Sequence, residues 1–133
     1  EQYDLITIAA VADDLPMLRL AIREGGNTAQ VTSPYDGTAL IAAAHLGHVE
    51  IVKTLIAAKA PLDHINNLRW TALIESIVLG DGGARHVACL KALVDAGANV
   101  NIPDGNGVTP LSLARAAGYT DMVRLLEAVG AKP

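Results

Sequence analysis

Three strings, Thr38-Ala39-Leu40, Thr71-Ala72-Leu73 and Thr109-Pro110-Leu111, open three similar blocks of this chain. The first two lie 33 residues apart and the second and third 38 apart. Each is followed by an Ala-rich stretch, a glycine, an apolar stripe at helical spacing and a short polar link. A period of about 33 residues made of two short helices and a turn predicts a solenoid, in which no unit buries its own apolar face and neighbours must stack. Such an array points to a binding scaffold, not a catalyst.

Aligning the blocks predicts four units, roughly 1–32, 33–65, 66–103 and 104–133. In the second, Thr38 is the N-cap of a short helix over about 39–46, its hydroxyl accepting from the first free N–H groups. Gly47 ends that helix. A second helix follows over about 48–58, with Val49, Ile51, Val52, Leu55 and Ile56 on one apolar face. The third unit uses Thr71, then Val87, Cys89, Leu90, Leu93 and Val94; the fourth uses Thr109, Gly118, Met122, Val123 and Leu126. The first lacks the threonine opening, but Leu15, Met17, Leu18, Ala21 and Ile22 supply the same stripe. There Asp14 followed by Pro16 reads as a helix start. Gly25, Gly97 and Gly130 stand after the second helix of their units, where a left-handed backbone is usual; Lys59 holds that place in unit two.

Composition narrows the function. Half of the residues are apolar (51%), yet Phe is absent and the aromatics are Tyr3, Tyr35, Trp70 and Tyr119, so the interior must be aliphatic with alanines letting helices approach. A net charge of −4 gives no basic footprint for nucleic acid. No apolar run approaches the ~18–20 residues that cross a membrane. One cysteine excludes an internal disulfide framework. The chain begins at Glu1, which a removed leader or a trimmed N-terminus would both produce, so cytoplasm and periplasm stay open.

The run from Gly37 to Lys53 (GTALIAAAHLGHVEIVK), the run Asp104-Gly105-Asn106-Gly107-Val108-Thr109-Pro110-Leu111 and the string Gly97-Ala98-Asn99-Val100-Asn101 resemble the ankyrin repeat. The similarity covers essentially the whole chain. It implies an all-α solenoid of antiparallel helix pairs, four in a row, with β-hairpin-like loops projecting at about a right angle. It also implies a concave face of loop tips and first helices that binds another protein, without catalysis or cofactor. Polar Thr120 and Glu127 replace the apolar residues of earlier units, so 104–133 is expected to close the stack as a cap. A monomer is expected, with a purely structural or self-associating role as the alternative to partner binding.

Carried over residue by residue, the family's variable contact positions fall on Pro34, Tyr35, Gly37, His45 and Leu46, then on Asn67, Leu68, Trp70, Val78 and Leu79, then on Gly105, Asn106, Val108, Ala116 and Ala117. Seven residues are singled out as partner-binding candidates: Tyr35, His45, Leu68, Arg69, Trp70, Leu79 and Asn106. Trp70 and Tyr35 stand out because interface anchors favour aromatics; the alternative for Trp70 is local packing that stiffens the array. Unit two has Ser33-Pro34-Tyr35-Asp36-Gly37 in place of the family's Asp-x-x-Gly loop, so its tip could differ in shape.

Unit three carries about five extra residues within Gly80-Asp81-Gly82-Gly83-Ala84-Arg85-His86, read as a longer turn between its helices. This insertion resembles those of some bacterial ankyrin proteins. Flexible glycines before a helix, with Arg85 and His86, admit a small-anion site; Asp81 argues against it, and the alternative is a longer loop with Asp81 capping or pairing with Arg85. No Gly-Lys-Ser/Thr follows, so it is not a phosphate-binding Walker loop. His45 and His48 straddle Gly47 and should diverge, and no Cys, Asp or Glu completes a metal site at ligand spacing. In the ankyrin family the position of His48 and His86 is usually structural. Cys89 falls on a buried stripe as a small core residue. Asp13 and Asp14 read as turn and capping groups rather than an acid/base pair.

Overall fold

Thr38, Thr71 and Thr109 each cap a helix in the computed structural model, their hydroxyls accepting from the N–H groups of Ile41 (3.4 Å), Ile74 (3.2 Å) and Ser112 (3.2 Å). The structure describes residues 4–31 and 35–133. Among these it has eight helices: α1 Leu5–Val11, α2 Leu15–Arg23, α3 Ala39–Leu46, α4 Val49–Ala57, α5 Ala72–Val78, α6 Ala84–Asp95, α7 Pro110–Ala117 and α8 Thr120–Ala128. In the first pair Asp4 caps α1 in place of a threonine, accepting from Thr7 N–H at 2.7 Å. Asp14 caps α2 at Met17 N–H, as its position before Pro16 predicts. Gly47 and Gly118 end α3 and α7 in the left-handed region, at φ 74° each.

The helices form two rows. Odd-numbered helices pack in sequence, α1 on α3 on α5 on α7, and even-numbered ones do the same, α2 on α4 on α6 on α8. The seam between the rows is aliphatic: Leu18, Leu40, Ile51, Leu55, Leu73, Leu90, Leu93, Leu111, Met122 and Leu126 are buried. Each such side chain removed from water contributes roughly 1.5–3 kcal/mol. Alanines fill the closest approaches, with Ala9, Ala43, Ala44, Ala72 and Ala114 buried in the odd row. Thr120 and Glu127 are exposed on α8, where Glu127 bonds to Arg115 at 2.8 Å.

One position ties each pair to the one before it. His48 Nδ1 meets the Ala10 carbonyl at 2.9 Å, and His86 Nε2 meets the His45 carbonyl at 2.9 Å. In the last pair Tyr119 takes this place, its hydroxyl donating to the Gly80 carbonyl at 3.4 Å. These links reach carbonyls in the last turn of α1 and α3 and just past the end of α5, the region where a helix leaves carbonyls without an i+4 partner.

The insertion in unit three differs from its expected form. It lengthens a helix as well as a turn: α6 has 12 residues against 9 in α4, and begins at Ala84 with Gly83 as N-cap. Its glycines are close-packed. A Cβ at Gly80 would lie 2.5 Å from His86 Cγ and 2.6 Å from the Ser76 carbonyl oxygen, and one at Gly82 would collide with the Tyr119 ring.

Lys59 has φ 68°, in the same left-handed conformation as Gly25 (89°), Gly97 (95°) and Gly130 (77°) at the matching places. A lysine there carries a strain of about 1–2 kcal/mol, against about 0.5–1 kcal/mol of extra chain entropy for glycine. Lys59→Gly is therefore expected to raise the melting temperature by a few degrees, about 0.5–1 kcal/mol. An unchanged or lower midpoint in a calorimetric scan would count against the strain.

Candidate functional site

The loops between units carry no strand among the described residues, but they keep hairpin-like closures. Asn66 N–H donates to the Trp70 carbonyl at 3.0 Å, and Asp104 N–H to the Val108 carbonyl at 2.9 Å. Asn66 is the organiser of its loop. Its Oδ1 accepts from Leu68 N–H (3.0 Å) and Trp70 N–H (3.1 Å), and Asp104 does the same for Asn106 and Val108. The loop of unit two is bound to that of unit three: Asn67 N–H donates to the Tyr35 carbonyl at 2.8 Å, and His64 Nε2 meets the Asp36 carbonyl at 2.7 Å.

The loops of units two and three and helices α1, α3 and α5 enclose a groove of about 860 Å³. Its walls are mainly apolar. Helix α1 supplies Ile8 and Val11, α3 supplies Ile41 and His45, α5 supplies Glu75 with Leu79 at its end, and the loops supply Tyr35, Leu68 and Trp70. Ile8, Val11, Tyr35, Leu68 and Leu79 are substantially exposed there, so the groove is an open apolar surface of the kind that marks interaction sites. Five of the seven candidates, Tyr35, His45, Leu68, Trp70 and Leu79, line this one groove. Pro34 lies outside the described residues.

Arg69 and Asn106 lie elsewhere. Arg69 has φ 67° and stands where Gly107 (φ 79°) stands in the next loop. Its side chain runs toward the neighbouring tip, 3.2 Å from where a Cβ on Gly105 would be. Asn106 is exposed at that tip.

Glu75 was not singled out by the sequence reading. It is 4% exposed. Asn66 Nδ2 donates to its Oε2 at 2.7 Å, and its Oε1 faces His45 Nδ1 at 3.6 Å, longer than a hydrogen bond. Burial pushes the Glu75 carboxyl up to about 7, partly opposed by the Asn66 hydrogen bond. Burial, then the nearby His86 ring, lowers the His45 imidazole below its ordinary value. Both groups are thus driven toward neutrality. The signal was a lone carboxylate within Ala72-Leu73-Ile74-Glu75-Ser76-Ile77-Val78, otherwise a helix without charge. Ile8 and Val11 were also missed; they lie on the side of α1 opposite its buried Ile6, Ala9 and Ala10.

In the 80–86 segment, Asp81 Oδ1 accepts from Gly83 N–H at 2.8 Å and faces His86 Nδ1 at 3.6 Å, not Arg85. The Gly83 N–H, with help from His86, holds the Asp81 carboxyl below its usual range. His86 is buried and Arg85 is exposed. Cys89 is buried, and burial raises its thiol to about 11. Among the described residues no three His, Cys, Asp or Glu side chains form a metal-binding group, and no helix is long and apolar enough to cross a membrane.

Comparison with known proteins explains the arrangement. The profile of ankyrin repeats (3 copies) matches residues 6–104, and that of ankyrin repeats (many copies) matches 83–127. The chain belongs to the ankyrin repeat family. The ankyrin repeat protein YahD of Escherichia coli (strain K12) is 38% identical over 125 residues, covering 93% of this chain and 62% of YahD. Protein phosphatase 1 regulatory subunit 27 of Mus musculus is 37% identical over 86 residues, covering 64% of this chain and 53% of its own. The chain thus spans about half to two thirds of the length of these relatives. A solved ankyrin repeat domain from Acinetobacter baumannii AYE superposes with a TM-score of 0.92 at 41% identity, covering 98% of this chain and 71% of that one. Ankyrin repeats are in general protein–protein interaction modules and typically lack catalytic activity.

Proposed function

We propose that this ankyrin array acts as a monomeric, non-catalytic module that holds a segment of a partner protein in the groove between α1, α3, α5 and the loop tips. The observation that carries this reading is the gathering of Tyr35, His45, Leu68, Trp70 and Leu79 around one open apolar cleft. Tyr35 and Trp70 act as anchors: large rigid rings bury much apolar area for little lost freedom, and interface energy concentrates in such residues. A relative named as a regulatory subunit of a phosphatase is consistent with an array that works by holding another protein.

The test is affinity capture from the native cell, with a Tyr35→Ala/Trp70→Ala variant beside the parent. Tyr35 is exposed and Trp70 half-buried, and neither belongs to the buried core, so the variant is expected to fold with a small change in melting temperature. A specific partner is expected to be held by the parent and lost, at least tenfold, by the variant. Equal retention would sink the anchor assignment.

A further inference from the structure

The groove is mainly apolar, and its one carboxylate is Glu75, with one oxygen engaged by Asn66 and the other facing His45 beyond hydrogen-bond distance. Oε2 takes the Asn66 hydrogen bond at 2.7 Å, while Oε1 looks toward His45 Nδ1 across 3.6 Å. We propose that Glu75 receives the ammonium group of a lysine side chain presented by the partner protein, with the lysine stem lying along the apolar walls of the groove. This rests on the groove reading above and names the chemistry of its occupant.

Three observations choose that occupant. First, a buried carboxylate without a cation is an unfavourable arrangement, and an arriving cation removes the penalty. Secondly, Asn66 already takes one lone pair of Oε2, which leaves Oε1 the less engaged oxygen; a compact ammonium needs only one oxygen, whereas the planar fork of an arginine is best matched by two. Thirdly, the route to Glu75 suits a lysine. Ile8, Val11, Leu68 and Leu79 accommodate a hydrocarbon stem. Trp70 lines the same groove, and an indole ring attracts a cation. The His45 ring, kept neutral, offers a second acceptor when its proton is on Nε2.

The proposal carries a pH signature. Titratable groups lining the groove are Tyr35, His45 and Glu75. Of the helices packed on α5, α3 contributes His45, α6 contributes His86, which is bonded to the His45 carbonyl and faces Asp81, and α7 contributes Arg115, which is bonded to Glu127. Glu75, rising to about 7, must lose its proton to receive the ammonium, so binding tightens as pH rises through neutrality.

Trp70, the one tryptophan in the chain, lines the groove and reports occupancy by its fluorescence. The probes are n-hexylammonium, n-hexanol, n-hexylguanidinium and n-hexanoate, which share one stem. At pH 8 hexylammonium is expected to bind about tenfold more tightly than hexanol and hexanoate, and more tightly than hexylguanidinium. The preference over hexanol should shrink to under twofold at pH 5.5, and Glu75→Gln should abolish it at every pH while hexanol binding persists. The pH series on the parent protein stands independently of how the variant folds. Equal binding of hexylammonium and hexanol at pH 8 overturns the ammonium site and leaves the groove as a purely apolar docking surface. Tighter hexylguanidinium binding overturns the choice of lysine, and no binding by any probe overturns the site altogether. The wider reading is judged separately, by whether the Tyr35→Ala/Trp70→Ala variant keeps its partner.

Discussion

Leu55→Ala is expected to lower the free energy of unfolding by about 2–5 kcal/mol, measured by urea denaturation. Leu55 is fully buried on α4, which packs on α2 and α6 in its own row and on α3 in the other. Truncation loses the transfer energy of three carbons and leaves a void. Partial collapse sets where in that range the loss falls. The surroundings are short helices pinned at their ends by Thr38 on one side of the unit and by His48 on the other, which limits how far they can close in. A loss below about 0.5 kcal/mol would mean that the packing around Leu55 is not what the structure shows.

Glu75→Gln is expected to stabilise the protein above neutrality by about 3 kcal/mol and to have little effect near pH 4. The sign follows from proton affinity. The folded protein raises the Glu75 carboxyl from the ordinary 4.5 to about 7, so the native state holds this proton more tightly than the unfolded chain does. The stability linked to that proton is fully present below pH 4.5, falls as pH rises, and is gone above about 7. Glutamine does not titrate and keeps an oxygen for Asn66 Nδ2. Urea midpoints for parent and variant should therefore coincide near pH 4 and separate steadily to pH 7.5. Coincident midpoints at pH 8 would show that the native fold tolerates the charged carboxylate at no cost. The same comparison bears on function, since a charge that weakens the empty protein gains most from a ligand that neutralises it.

The fold was legible because its signals are local and repeated. A threonine three residues before a free N–H caps a helix wherever it stands, and Thr38, Thr71 and Thr109 do so in turn. Gly47 and Gly118 stop helices for the same backbone reason. The insertion before His86 was harder, because an extra helical turn and a longer loop use the same residues; Gly80 packs locally against His86, but Gly82 packs against Tyr119, a contact distant in sequence. The candidate site was partly readable. Tyr35 and Trp70 announce themselves by rarity, but the side to which a loop residue turns depends on backbone sign. Arg69 adopts a positive φ and leans toward the neighbouring tip, away from the cleft that its neighbours Leu68 and Trp70 line. Glu75 escaped because nothing in its own helix says that the surface beside it is open; apart from the adjacent loop of Leu68 and Trp70, the cleft is made by α1, α3 and Tyr35, some tens of residues away.

The links made by His48, His86 and Tyr119 each span a single seam between adjacent helix pairs. None reaches past its immediate neighbour. A tug on one end of the row is therefore resisted seam by seam, in the manner of a laced spine rather than a solid plate. The cleft spans two of those seams, α1 to α3 and α3 to α5, so its width is set by how those two neighbouring pairs are laced together.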